Sequence, residues 1–221
     1  MSILITGAAG GLGSAVCRVF LEAGVNVIAV DRSWKNTPSH PAIEADLTTG
    51  EGAAAMIEQA LAHGPIDGFV HLVGGFSGGK PISETDDQTF DLMMNVNLRI
   101  AFNSIRAVLK PMIKEARHGR IVAIGSRAAI DPSPNFAAYA ISKAALVALV
   151  KNVAAEVKGL GITANIVLPS TIDTPANRAA MPQSDFSKWV APESIARLLL
   201  WLVSDAASDV SGAVIPIYGR A

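Results

Sequence analysis

Residues 3–13 read ILITGAAGGLG. The first four residues are apolar or β-branched, as in a short buried strand. Gly7, Gly11 and Gly13 follow at once and open a helical pattern that runs from 11 to about 23. Glycines at a strand-to-helix turn permit positive φ and bring backbone N–H groups close to a pyrophosphate, which the positive end of the helix then faces. A glycine-rich turn that merely packs helix on strand has the same spacing, so the pattern alone does not separate the two readings. Asp31 does, because it ends the second strand about where a ribose-binding carboxylate belongs. Such a carboxylate accepts hydrogen bonds from the adenosine ribose and repels a 2′-phosphate, which predicts NAD(H) over NADP(H). Arg32 follows it and could swing toward a 2′-phosphate, so NADP(H) stays open.

Beyond that turn, β-type runs and helical stretches alternate. The strand candidates are ILIT near 3, VNVIAV near 25, AIEA near 42, GFVHLV near 68, RIVAIG near 120, TANIVL near 163 and AVIPIY near 213. Most are continuous apolar runs, as in strands covered on both faces. Helices are expected at roughly 11–23, 51–62, 86–115, 136–158 and 192–203. Thr85, Asp86 and Asp87 would cap the third with acidic charge at its positive end, and Pro192 suits the first turn of the last. This rhythm implies an α/β fold: one Rossmann-type doubly wound parallel sheet of about seven strands, helices on both faces, in a single domain over 1–221.

Of the 221 residues, 50% are hydrophobic and 17% charged, enough apolar material for a sizeable core. The net charge of −1, with no basic block, gives no footprint for nucleic acid or an anionic membrane surface, so a small molecule is the expected partner. Cys17 is the only cysteine and sits in an apolar helical pattern, as a small buried hydrophobe. The N-terminal segment lacks a basic flank, with Arg18 its first cation. No uninterrupted apolar run is of membrane-spanning length, and a cytoplasmic location is expected. His40, His63, His71 and His118 lack metal-ligand spacing.

Residues 125–143 read GSRAAIDPSPNFAAYAISK. Tyr139 and Lys143 lie one helical turn apart and Ser126 precedes the tyrosine by thirteen positions. A phenol titrates near 10 and is a poor acid or base at neutral pH. An ammonium at i+4 is expected to favour the phenolate and lower that value, while the serine hydroxyl bonds a substrate oxygen and the tyrosine exchanges the proton. A Tyr and a Lys at this spacing also occur on ordinary solvated faces.

With these motifs the chain resembles the short-chain dehydrogenase/reductase family over nearly its whole length. The loop TGxxxGxG is matched by Gly7, Gly11 and Gly13, with Leu12 inside it; an NL pair supplies Asn97; and Ser126, Tyr139 and Lys143 follow in order. The resemblance implies hydride transfer between nicotinamide and a carbonyl or alcohol carbon. It implies that Asn97 orients a water in a proton relay and that Lys143 holds the nicotinamide ribose while tuning Tyr139. Asp46 and Leu47, in ADL, match residues at the adenine; Gly74 matches the last glycine of an NNAG motif; Thr174, with Ile172 backbone, matches the contact to the nicotinamide carboxamide. Each has a plainer reading: Asp46 as a turn residue, Asn97 bonding nearby backbone, Thr174 capping a helix.

Two departures stand out. HLVG replaces NNAG, which puts His71 and Leu72 where asparagines are usual; His71 is either a titrating group near the cofactor or a hydrogen-bonded structural residue. Ser170 stands where a glycine commonly follows the proline, and is expected to narrow the nicotinamide end of the pocket. VGGFSGGK and LPSTIDTPANRAAMPQSDFSKW are locally similar to the dihydropteridine reductase branch. That implies Phe76 and Trp189 packing on a flat quinonoid pterin, or else closing an ordinary lid or core. Ser126, which that branch lacks, points instead to a carbonyl or alcohol substrate. The Pro-, Asn- and Ser-rich segment after the sixth strand is expected to be a lid loop. The long third and fourth helices carry more apolar residues than one sheet face needs, so a dimer or tetramer is expected, as is common in the family. From another class, a dinucleotide-binding redox sensor without turnover remains open.

Overall fold

The structure, a computed structural model, describes residues 1–36, 38–115 and 118–220. Seven strands form one parallel sheet: β1 Ser2–Thr6, β2 Asn26–Asp31, β3 Ala42–Glu44, β4 Gly68–His71, β5 Gly119–Ile124, β6 Ile162–Pro169 and β7 Val214–Ile217. Their order across the sheet is β3-β2-β1-β4-β5-β6-β7, so the chain reverses its winding between β1 and β4. That switch opens a crevice at the carboxyl ends of both strands, where ligands of such sheets bind. Pro216 is tolerated in β7 because that strand pairs with β6 alone and lies at the edge.

The helices are α1 Gly11–Glu22, α2 Gly50–Leu61, α3 Asp87–Met94, α4 Ile100–Lys114, α5 Ala137–Glu156, α6 Pro175–Ala180 and α7 Pro192–Leu202. One face of the sheet is filled by α2, α4 and α5, with Met56, Ile105, Met112, Leu146 and Val150 meeting Leu4, Phe69 and Ile121. On the other, Val16 and Phe20 of α1 and Ile195 and Leu199 of α7 meet Ile3, Val70 and Val122. This two-sided burial explains the unbroken apolar strands.

The helix expected at 86–115 is interrupted. Asp86 caps it, its carboxylate accepting from the Thr89 N–H at 2.7 Å, but residues Asn95–Arg99 form a π-helical turn between α3 and α4. The widened turn carries Asn97, which is fully buried. The segment expected as a loop after β6 also folds, into α6 and a 3₁₀ turn at Phe186–Lys188. α5 has 20 residues with a window of mean hydropathy 1.3, long and apolar enough by length and composition to cross a membrane, although Lys143 and Lys151 interrupt its apolar run. Its buried residues include Ser142 and Lys143, and it packs on β6 and the π turn, so it serves here as a core helix with an apolar outer face.

Candidate active site

The glycine turn leaves β1 with Gly7 at φ +76°, and a Cβ there would stand 2.9 Å from the Val73 amide. Gly13 is tighter still, since its Cβ would run into the Gly7 carbonyl and lie 2.6 Å from the Ala8 Cα. Only glycine lets α1 begin this close to the strand. Gly10 precedes the helix without a side-chain cap, so the first N–H groups of α1 are left for an anion. Leu12 is half-buried against the α1–α7 core. Gly11 faces Thr174, whose methyl would be 3.1 Å from a Cβ there, so the start of α1 and the turn after β6 form opposite lips of the crevice.

At the adenosine side, Asp31 accepts from the Ala9 N–H at 2.8 Å and the Arg32 N–H at 2.7 Å, which ties the end of β2 to the glycine turn. Asp46 is exposed and accepts from both the amide (3.0 Å) and hydroxyl (2.7 Å) of Thr48. Those bonds, and then Arg32, hold its carboxyl below the ordinary range. Its plainer reading as a turn residue is therefore realised. Leu47 is buried in the α2–α4 core, behind Asp46.

At the nicotinamide side, the Thr174 hydroxyl accepts from the Asn177 amide at 3.2 Å and caps α6. The Ile172 carbonyl is already engaged by the Thr174 N–H (2.9 Å) and the Asn177 amide group (2.8 Å). Ser170 does not narrow the cleft with its hydroxyl, which donates to the Tyr218 carbonyl at 2.8 Å and so fastens β6 to the C-terminal strand. The following segment is held by the paired Arg178 and Asp173 at 2.6 and 2.8 Å, by Arg178 over Phe186, and by Phe186 against Trp189 at 4.7 Å.

Between these lips, α5 brings Tyr139 and Lys143 together with Ser126 from the end of β5. The Ser126 oxygen accepts from the Ala128 N–H at 3.2 Å, which leaves its own proton free to donate. Burial pushes the Tyr139 phenol above its ordinary value, opposed by the Ser126 hydroxyl. The expected lowering by Lys143 is thus reversed. The phenol is packed edge-on to Phe76, centroids 5.0 Å apart, and Lys143 is not among the groups that set its shift: desolvation outweighs the Ser126 hydrogen bond. Lys143 is itself buried, donates to the Ile124 carbonyl at 3.2 Å, and is lowered by burial to about 8.

The Asn97 side chain clasps Gly75 on both sides, accepting from its N–H and donating to its carbonyl at 3.0 Å, and also donates to the Ser142 hydroxyl at 3.0 Å. Ser142 in turn donates to the Tyr139 carbonyl at 2.7 Å. Sequence reading passes over Ser142 and Gly75, although the Ser-Lys pair one turn past Tyr139 was the available signal. Gly74 fits between, since a Cβ would stand 2.9 Å from both Asn97 Oδ1 and Lys143 Nζ. His71 lies beneath, fully buried, its Nδ1 2.9 Å from the Thr6 hydroxyl and its Nε2 without a partner. Burial, and then Lys143, lower it to about 3, so it is a neutral imidazole.

The hollow beside the α5 N-terminus, about 90 Å³, is lined by Ser77, Lys80 and Phe136. A larger concavity of about 710 Å³, lined by Lys151, Lys158, Thr163 and Asp209, lies at the opposite edge of the sheet, away from every group just described. The chemistry belongs to the carboxyl edge. Among the described residues no group of three or more His, Cys, Asp or Glu could hold a metal.

A reversed parallel sheet with a glycine cradle on one side of its switch point and a Ser–Tyr–Lys cluster on the other defines an α/β oxidoreductase. The chain belongs to the short-chain dehydrogenase/reductase family, whose model, described as short chain dehydrogenase, matches residues 1–185. The 3-oxoacyl-(acyl-carrier-protein) reductase of Thermotoga maritima is 32% identical over an alignment 237 positions long, covering 98% of this chain and 95% of that protein. A solved short-chain dehydrogenase/reductase from Burkholderia thailandensis superposes with a TM-score of 0.86 at 31% identity, covering 99% of this chain and 91% of its own. The ligand-free aldohexose dehydrogenase of Thermoplasma acidophilum gives 0.90 at 28% identity, with 99% and 92% covered.

Proposed function

We propose that the chain is a single-domain enzyme that moves hydride between a nicotinamide dinucleotide and a carbonyl or alcohol carbon, with Tyr139 as the acid or base. The observation that carries this reading is the Tyr139 phenol hydrogen-bonded by the Ser126 hydroxyl, one helical turn from the buried Lys143, on the lip of a glycine cradle that side chains would fill. The bound nicotinamide supplies or accepts the hydride. Gly7, Gly11, Leu12 and Gly13 would hold its pyrophosphate; Asp31, Asp46 and Leu47 its adenosine; Gly74, Ile172 and Thr174 its nicotinamide. Asp31 favours NAD, and Arg32 leaves NADP within reach. Ser126 donates to the substrate oxygen while Tyr139 exchanges its proton, and Lys143 and Asn97 support the path by which that proton is replaced.

A second reading is favoured by the exposed Phe76, which leans on both Phe136 (5.2 Å) and Tyr139 (5.0 Å): an aromatic wall of this kind suits a flat ring such as a quinonoid pterin. The apolar outer residues Phe102, Ile113 and Ile141 of α4 and α5 support a homo-oligomer, dimer or tetramer, and a cytoplasmic location accords with the lone, unbridged Cys17. The test is Tyr139→Phe with a panel of ketones, 3-oxoacyl thioesters and a quinonoid pterin. Turnover should fall by about 10²–10⁴-fold with NADH binding retained. Full biological activity in that variant would instead favour a redox sensor.

A further inference from the structure

Thr6, His71 and Ala123 occupy paired positions on β1, β4 and β5 and form one row across the sheet. The row lies on the face that α4 and α5 cover, because Leu4, Phe69 and Ile121, two residues earlier on the same strands, belong to that core. Lys143 reaches down to this layer, since its ammonium is bonded to the carbonyl of Ile124, the residue after Ala123. Gly74, three residues past His71, is in contact range of the same ammonium.

A buried ammonium has three N–H bonds to satisfy, and Lys143 has one hydrogen bond among the described residues. The groups that titrate in this layer are His71, Tyr139 and Lys143. No carboxylate is among the causes of their shifts, and the packed elements otherwise present neutral groups: Thr6 from β1, Asn97 from the π turn, Ser126 and the Ile124 carbonyl from β5. Without an anion, the charge must be held by dipoles and lone pairs. One such lone pair is unclaimed: the Nε2 of His71. Of the two neutral tautomers, one has Nδ1–H donating to the Thr6 hydroxyl and a bare Nε2. The other leaves a buried Nε2–H without an acceptor, in the field of a cation. Electrostatics select the first.

We propose that His71 is a positioning residue for Lys143: with Nδ1–H tied to Thr6, its Nε2 accepts from the ammonium through one bridging water and holds the lysine charged and in place beneath Tyr139. The role rests on the function proposed above, but it is readable without turnover. A departure from the family's asparagine is then a replacement of one acceptor by another, not a loss.

The experiment follows the Lys143 Cε resonance of isotope-labelled protein, assigned by its absence in Lys143→Arg, through a pH titration of the wild type, His71→Leu and His71→Asn. The leucine, which fills the space without an acceptor, should lower the Lys143 titration by about one unit, a tenfold loss of proton affinity. The asparagine should restore most of it. In parallel, a nitrogen–proton correlation of the wild-type imidazole should show the Nδ1–H tautomer, which reads the proposal even where His71→Leu does not fold. An Nε2–H tautomer, or an unchanged Lys143 titration in folded His71→Leu, would overturn it. If NADH neither binds nor turns over, the proposed function fails, and the lysine titration still judges His71.

Discussion

The neutral burial of His71 makes the protein's stability depend on pH in a window that can be calculated. In the folded chain His71 is lowered from 6.5 to about 3 by burial and the nearby lysine. The unfolded imidazole therefore binds a proton at pH values where the folded one does not, and stability rises with pH between about 3 and 6.5. At pH 5.0 the unfolded state gains RT ln(1 + 10^1.5), about 2 kcal/mol, from this one group, against about 0.1 kcal/mol at pH 7.5. Acidification over that range should thus remove about 2 kcal/mol from the wild type through His71 alone. His71→Asn has no titrating group there and should lack that part of the loss.

The comparison is between the two proteins, each unfolded in urea at pH 7.5 and 5.0 at one fixed protein concentration, because association would shift the midpoints. Lys143, lowered to about 8, is mostly protonated in both states up to pH 7.5 and adds only about 0.2 kcal/mol at that upper end. The lowered carboxyls of Asp46, Asp86, Asp173 and Asp185 act below it: their contribution is present above their ordinary value and lost as the pH falls through the folded one. His40, also lowered by burial, is common to both proteins and cancels. Equal losses in wild type and His71→Asn, within about 0.5 kcal/mol, would show that the imidazole is not held neutral in the folded chain.

Three further outcomes are expected. Reductive kcat/KM should fall as the pH rises past about 8, where the buried Lys143 loses its proton, and a profile flat to pH 10 would show that its charge is not needed. Gly13→Ala drives a methyl into the Gly7 carbonyl, so it should weaken NADH binding, read by fluorescence titration, at least tenfold and destabilise the chain by about 1–3 kcal/mol. Cys17 is buried and its thiol is pushed up to about 11, so in the folded protein it should resist a thiol reagent at pH 8 and react only after denaturation; rapid native labelling would contradict its place in the α1 core.

What the sequence discloses and what it withholds divide along a physical line. The strand–glycine–helix turn, the end of β2 at Asp31 and the Tyr139–Lys143 turn are local patterns, set by spacing along the chain, and each element stands where its pattern places it. Thr174 before Pro175 is also local, a cap followed by a first-turn proline, and it starts α6 inside a segment whose composition suggests a loop. The direction of the Tyr139 shift is not local. Spacing supplies the cation, but the aromatic cover from Phe76 and the depth of the lysine come from other parts of the chain, and they decide the sign. The π turn at Asn97 is hidden for a related reason. Helical periodicity carries on through it, and the wide turn is favoured by what the asparagine finds across the fold, Gly75 and Ser142, not by its neighbours in sequence. His71 combines both kinds of information. Its departure from NNAG is visible at once, yet only the row through Thr6 and Ala123 shows that the odd residue sits under the lysine, with one nitrogen occupied and the other bare. A substitution that looked like a loss in one dimension is, in three, an acceptor placed where a buried cation lacks one.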